Sequence, residues 1–116
     1  MDKFQEDKFI VKDSGKRQQY KGGMVRDVAE NKVDYSLIFD GPLVDRYATH
    51  LTKGAVKYSK RNWMKADGDE ELERFRESSV RHFRQWLRGD IDEDHFSATV
   101  FNMNCYEHLN AKLKNK

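Results

Sequence analysis

The stretch from Ser78 to Leu109 constrains the fold of this chain more than any other, because it has the pattern of two helices joined by a short acidic turn. The first run stops at Gly89, and glycine commonly follows the last residue of a helix. A second run begins at His95. The turn between them carries four carboxylates, and its residues are Asp90, Ile91, Asp92, Glu93 and Asp94. The pattern predicts a helical hairpin with ionisable groups gathered at its bend.

The composition indicates one polar domain. The chain has 116 residues, 37% of them hydrophobic and 36% charged, so a core is possible but not generous. Seven Phe, five Tyr and two Trp supply bulky core material and argue against disorder. No apolar run approaches the roughly 20 residues that span a bilayer, and the charged N-terminus lacks a signal-peptide pattern. Because Cys105 is also a lone cysteine, we expect a cytoplasmic protein without disulfides or membrane association.

The charge balance limits the kind of partner. With 22 basic and 20 acidic residues, the net charge is only +2, so a long nucleic acid is not expected to bind. A small polyanion held by a few placed cations is compatible with this balance. Because few apolar residues accompany so many charges, we also expect another copy of the chain to complete the hydrophobic surface, giving a homo-oligomer.

The first part of the chain has an extended pattern. Residues 1–21 are predicted as an N-terminal arm, whose apolar FIVKD segment is either a short strand, an arm on a neighbour or part of a frayed terminus. Residues 22–116 are predicted as a single helical domain. Its opening segment, up to Pro42, contains paired glycines and turn residues and is predicted to be extended. It is either an ordinary connector or a binding loop in which Arg26 and Lys32 supply cations.

Hydrophobic periodicity predicts three helices in the domain. Their predicted bounds are Pro42 to Gly54, about residue 70 to residue 88, and residue 93 or 94 to residue 113. Asp40 or Gly41 is expected near the first cap, and Gly54 is expected to end the first helix. The predicted fold class is therefore all-α, with about three to four helices and an extended N-terminal segment.

Aromatic residues alternate with cations after the first helix. The basic neighbours of Tyr58 and Trp63 are Lys57, Lys60, Arg61 and Lys65. Such a segment either stacks a base and holds phosphate, or forms an amphipathic turn whose Trp fills the core. On the helix before it, His50 is interpreted as a surface or edge histidine rather than a ligand.

The acidic turn is the main candidate for a site. Carboxylates packed this closely repel one another unless solvent, a basic side chain or a cation lies among them. Mg²⁺ favours one or two carboxylates together with waters and substrate phosphates. The plainer interpretation is that the turn is a solvated connection in which Asp92 or Asp94 caps the last helix.

Residues on both sides of the turn add cationic and hydrogen-bonding groups. Arg81, His82 and Arg88 precede it and are placed to reach phosphate oxygens. His95 and Asn102 follow it, about two helical turns apart, and so point the same way. Both side chains donate and accept hydrogen bonds, as recognition of a base or ribose requires.

Five segments also carry a family resemblance. They are GMVRD at 23–27, NKVDYSL at 31–37, KGAVKYSKRNWMK at 53–65, RHFRQWLRGDIDEDH at 81–95 and FNMNCYEHL at 101–109. Together they resemble the phage-borne dATP/dGTP diphosphohydrolase N-terminal domain family, which is related in function to the all-α, MazG-like nucleotide pyrophosphohydrolases. The resemblance covers most of the chain, roughly residues 22–113.

The resemblance implies an oligomeric phage or prophage domain that cleaves a purine dNTP between its α- and β-phosphates, in the cytoplasm of the host cell. The implied ligands of Mg²⁺ or Mn²⁺ are Asp90, Asp92, Glu93 and Asp94, of which Asp90, Asp92 and Glu93 are also the implied catalytic residues. The implied phosphate contacts are Arg26, Lys32, Lys57 and Arg81. The implied base and sugar contacts are Tyr58, Asn62, Trp63, His82, His95 and Asn102.

Three functions follow as hypotheses. The first is a Mg²⁺-dependent dNTP pyrophosphohydrolase that changes the nucleotide pool during infection. The alternative is a phage sponge that sequesters a cyclic nucleotide or other nucleotide immune signal without cutting it. The third is a structural helical protein that binds no nucleotide.

The chain differs from the MazG-like enzymes in its acidic pairs. Those enzymes carry Glu-x-x-Glu and Glu-x-x-Asp pairs, whereas here Glu70-x-x-Glu73 is predicted at the surface and no clean Glu-x-x-Asp follows.

Overall fold

The computed structural model describes residues 10–28 and 30–115. The chain divides into two compact units, one ending at Asp34 and the other beginning at Tyr35. Each unit is described by itself. The predicted FIVKD strand begins at Phe9, which lies outside the described residues, and Ile10–Asp13 have no regular secondary structure. The predicted division into an arm and a helical domain after residue 21 stays a prediction.

The first unit contains a two-stranded antiparallel hairpin. Strand β1 is Arg17–Gln19 and strand β2 is Val25–Asp27. Gly23 closes the turn between them, with a φ of 96° and a hydrogen bond of 2.8 Å from its N–H to the carbonyl of Tyr20. Glycine tolerates this left-handed conformation because it has no Cβ.

The second unit is helical. Its elements are a 3-10 helix at Tyr35–Phe39, α1 at Leu43–Lys57, a second 3-10 helix at Asn62–Lys65, α2 at Asp69–Arg88 and α3 at His95–Lys114. α2 and α3 form the predicted hairpin, and α1 packs against α3. The all-α fold is confirmed. Among the described residues, none of the helices combines the length and the apolar character needed to cross a bilayer.

The predicted start of α1 is one residue too early, and its predicted end at Gly54 was wrong. Pro42 is itself the N-cap residue, and the helix continues through Gly54 to Lys57. The backbone of Gly54 is helical, and a Cβ added there would meet nothing within 4 Å. Because Gly54 and Ala55 lie on a half-buried face, packing of this face offsets the helix-propensity cost of one glycine, about 1 kcal/mol.

The core of the second unit lies along α3. Its buried apolar side chains among the described residues are Ala98, Cys105 and Leu109. At the N-terminal end of α3 the buried side chains are polar, namely His95 and Ser97. Burial raises the pKa of the Cys105 thiol to about 12, so this cysteine is part of the packing rather than a reactive group.

Candidate functional site

The acidic turn begins with a defined helix ending. Gly89 has a φ of 82° and donates its N–H to the carbonyl of Trp86 at 3.0 Å, while Asp90 donates its N–H to the carbonyl of Gln85 at 3.0 Å. This pair of bonds is the Schellman motif, which reverses the chain at the end of α2. Asp90 is therefore the first residue of the acidic turn after the helix ending.

The turn ends with a capping residue that also joins two helices. Asp94 accepts hydrogen bonds from the backbone N–H of Ser97 at 3.0 Å and from its hydroxyl at 2.9 Å. The Arg46 guanidinium on α1 donates to both carboxylate oxygens, at 2.5 and 3.2 Å. Arg46 is the main reason that the pKa of Asp94 lies well below its usual range. Both oxygens of this predicted metal ligand are therefore already engaged, and the expectation that Asp92 or Asp94 caps the helix is met by Asp94.

Between these two ends, three side chains converge. One ligand atom from each of Asp90, Asp92 and His95 lies within 4.8 Å of the other two. Nε2 of His95 is 2.7 Å from Oδ1 of Asp92, a hydrogen bond that lowers the pKa of the Asp92 carboxyl. Arg88 donates to Oδ2 of Asp90 at 2.6 Å. His95 is only 2% exposed, so its ring orientation is set by packing.

A second histidine orients the first. Nδ1 of His82, on α2, lies 2.9 Å from Nδ1 of His95, so one ring donates this hydrogen and the other accepts it. Burial lowers the pKa of His82, which favours its neutral form. His50, on α1, also has a pKa lowered by burial, and its ring packs edge-on against Phe101 at 5.6 Å between centroids.

A groove of about 510 Å³ opens beside the cluster. It is lined by Arg46, Trp86, Gly89, Asp90, Ile91, Glu93, Asp94, His95 and Phe96. The Arg46 guanidinium lies over the Phe96 ring, 4.8 Å from its centroid. Trp86 is half-exposed at this groove. Carboxylates, the Arg46 guanidinium group and two aromatic side chains therefore line one concavity.

The structure brings together six of the residues proposed from the sequence. They are Asp90, Asp92, Glu93, Asp94, His82 and His95. Among the described residues, the Glu93 side chain makes no hydrogen bond or ion pair, and it faces the groove.

The aromatic segment after α1 is placed elsewhere. Trp63 packs edge-on against Phe101 and His108, at centroid distances of 6.4 and 5.0 Å. These two residues are roughly two to four helical turns beyond His95 along α3. Lys57 lies over the ring of Tyr58 at 5.0 Å, and Asn62 begins the second 3-10 helix. The Trp63 segment therefore packs along α3 rather than beside the acidic turn of the same chain.

Two more proposed residues of the helical unit, Arg81 and Asn102, are not among the residues that line the groove. Arg81 lines a different concavity, on α2, and its Nη2 is 3.4 Å from the hydroxyl of Ser78. Asn102 donates its side-chain N–H to the carbonyl of Ala98 at 2.8 Å, within α3. Arg26, on β2, and Lys32 belong to the unit that ends at Asp34.

Sequence reasoning missed three groups at this site: Arg46, Trp86 and Phe96. Trp86 and Phe96 flank the acidic turn closely enough in sequence to have been included. The only sequence signal for Arg46 is its position one helical turn before His50 on the same face of α1. Nothing in the sequence pairs this residue with a carboxylate 48 positions later.

Comparison with known proteins identifies the family. No curated protein and no solved structure matches the chain. Residues 23–116 match the family described as dATP/dGTP diphosphohydrolase, N-terminal, which confirms the predicted resemblance. This match covers most of the chain, which therefore belongs to the dATP/dGTP diphosphohydrolase N-terminal family.

Proposed function

We propose that this protein is a metal-dependent diphosphohydrolase that binds a purine dNTP at the acidic turn and releases pyrophosphate. The observation that carries the proposal is the convergence of Asp90, Asp92 and His95 at a groove that also contains cationic and aromatic groups. The family name supplies the substrate class and the reaction.

The donor set fits a hard divalent cation. Two carboxylates suit Mg²⁺ or Mn²⁺, and an imidazole is a common additional ligand for transition metals. Asp90 and Asp92 would hold the cation, with His95 as a third ligand. If Nε2 of His95 is a ligand, its hydrogen lies on Nδ1, where His82 accepts it. A bound cation lowers the pKa of its coordinated water and neutralises phosphate charge.

Other groups of the chain would bind and orient the nucleotide. Glu93 faces the groove and is a suitable acceptor for a proton from the attacking water. Arg46 and Arg88 offer guanidinium groups for phosphate oxygens, and Trp86 offers a face for base stacking. Lys57, Tyr58, Asn62 and Trp63 would have to come from a second copy to contact the same nucleotide.

Turnover tests the proposal. Purified protein is incubated with dATP or dGTP, with and without Mg²⁺ or Mn²⁺, and the products are separated by chromatography. We expect monophosphate and pyrophosphate only with metal. Asp92→Asn should reduce the rate at least a hundredfold, whereas the matched variant Asp69→Asn, in the first turn of α2 at the other end of that helix, should not. Equal rates in the two variants would contradict this site.

One observation favours the second candidate, a nucleotide sponge. Each aspartate of the turn already has a protein partner, because Asp90 bonds Arg88, Asp92 bonds His95 and Asp94 bonds Arg46. A binder therefore does not need a metal to compensate these charges. Intact nucleotide or cyclic dinucleotide that is recovered only after denaturation would identify a sponge, and the absence of any retained or cleaved nucleotide would contradict both functions.

A further inference from the structure

Two aromatic side chains line the groove beside the acidic turn, but they differ in how open their ring faces are. The Arg46 guanidinium lies over the ring of Phe96, 4.8 Å from its centroid, and occupies one face of that ring. Trp86 is 50% exposed, and none of the cations in the described part of the chain lies over its indole. Trp86 is therefore the available platform for a flat ring.

The indole of Trp86 is supported by a second ring on the same helix. The rings of Phe83 and Trp86 are 6.0 Å apart between centroids, with an angle of 21° between their planes, which is an offset stack. Phe83 does not line the groove. It therefore packs against Trp86 from outside the groove and restricts the orientations that the indole can adopt.

The polar groups of the groove are poorly suited to reading the edge of a base. Within residues 10–28 and 30–115, no neutral amide or hydroxyl side chain lines it. Asp90 and Asp94 are bonded to arginines, and both ring nitrogens of His95 have partners. The proposed function assigns the remaining carboxylate, Glu93, to the attacking water. A site discriminates strongly between exocyclic groups when it hydrogen-bonds them, whereas a stacking surface tolerates any base with a suitable ring face.

We propose that the groove recognises a base by its stacking area, on the indole of Trp86, and that Phe83 is the positioning residue that holds this indole. The inference rests on the proposed function and adds how its substrate is selected. The two fused rings of a purine cover more of an indole than the single ring of a pyrimidine. The groove therefore accepts adenine, guanine and hypoxanthine alike, although hypoxanthine has no exocyclic amino group, and binds cytosine and thymine more weakly.

Quenching of Trp86 fluorescence tests this selection without metal or turnover. The chain has two tryptophans, so Trp63→Phe leaves Trp86 as the only indole. The dissociation constants of dAMP, dGMP and dIMP should agree within about threefold, and dCMP and dTMP should bind about tenfold more weakly. A preference of about tenfold or more for dAMP over dIMP, equal binding of dAMP and dCMP, or no quenching by any nucleotide would overturn the proposal.

Substitutions of Phe83 test its positioning role. Phe83→Ala should weaken dAMP binding by about threefold or more, and should raise KM for dATP with little change in kcat, because the phosphates still bind at the acidic turn. Phe83→Tyr keeps the ring and should bind dAMP as the parent does. The matched control is Leu87→Ala, because Leu87 is 63% exposed on the same helix and does not line the groove. Unchanged binding in Phe83→Ala, or an equal loss in Leu87→Ala, would overturn the role of Phe83.

The two measurements separate this inference from the proposed function. Selective binding of purine monophosphates by a chain that cleaves no dNTP would support the Trp86 platform and contradict the hydrolase. Cleavage of purine and pyrimidine dNTPs with equal kcat/KM would show a hydrolase and overturn the platform.

Discussion

α2 and α3 have the same length but different environments. α3 has five buried residues, whereas α2 has only Ser78. α2 nevertheless has the clearer amphipathic pattern, with large apolar side chains along an exposed stripe. The difference teaches that a strong helical periodicity identifies an apolar face, but does not show that this face packs against the core of the same chain.

The two helices also differ in what they place at the acidic turn. α2 ends in a backbone motif closed by Gly89, whereas α3 begins with a side-chain network built on Asp94. The polar groups that α3 buries next to this network belong to the candidate site. Polar side chains, namely His95 and Ser97, are therefore buried at the end of the hairpin that carries the candidate site.

The largest expected effect compares matched leucines. Leu109→Ala on α3 removes a side chain that is 1% exposed and should lower the free energy of unfolding by about 2–5 kcal/mol. Leu87→Ala on α2 should cost less than about 1 kcal/mol, because the Leu87 side chain is 63% exposed. Urea unfolding monitored by circular dichroism measures both values. Equal losses would show that α2 and α3 are not as different as their burial indicates.

The next effect concerns the N-cap of α3. Asp94→Ala should lower the free energy of unfolding by about 1–2 kcal/mol through loss of the cap alone. Because the folded state lowers the pKa of Asp94, its contribution is present above the unfolded value, about 3.9, and is lost as the pH falls below it. The difference between variant and wild type should therefore shrink below about pH 4. A difference that stays constant from pH 7 to pH 3 would contradict this role.

Two glycines, one just after α2 and one within α1, have different backbone conformations, so their replacement by alanine should have opposite effects on stability. Gly89→Ala should lower the free energy of unfolding by about 1–2 kcal/mol, because alanine is strained at a φ of 82°. Gly54→Ala should raise it by about 0.5–1 kcal/mol, because the backbone there is helical and the added methyl group meets no atom. Thermal unfolding of the two variants should shift in opposite directions. A shift in the same direction would show that one of the two backbone conformations is misassigned.

The smallest effect tests the burial of α3 without a substitution. Cys105 is fully buried and its thiol pKa is raised, so it should not react with a thiol reagent at pH 8 in the native protein. It should react within minutes once the chain is unfolded in guanidinium chloride. Rapid reaction of the native protein would indicate that the α3 core opens readily.

Local signals explain what the sequence predicted well. The bounds of α2 and α3 follow from periodicity, from Gly89 after one helix and from Asp94 before the next. The turn residues of the candidate site adjoin these signals, so they were found together. The glycine stop signal was wrong at Gly54, where tertiary packing outweighs the local preference of glycine to end a helix.

Contacts between distant parts of the chain explain what the sequence did not predict. The Arg46–Asp94 pair joins residues that no local pattern relates. The β1–β2 hairpin consists of two three-residue strands, too short to show alternation. The position of Trp63 against Phe101 depends on how α1 packs on α3, which a segment-by-segment analysis does not determine.

The central claim is that the acidic turn binds a divalent cation through Asp90, Asp92 and His95. Paramagnetic broadening of the histidine ring signals by substoichiometric Mn²⁺ tests it most directly. We expect the signals of His95 and His82 to broaden first, the signal of His108 to persist, and Asp92→Asn to abolish the selectivity. Sharp His95 and His82 signals at saturating Mn²⁺, or equal broadening of all histidines, would contradict the claim.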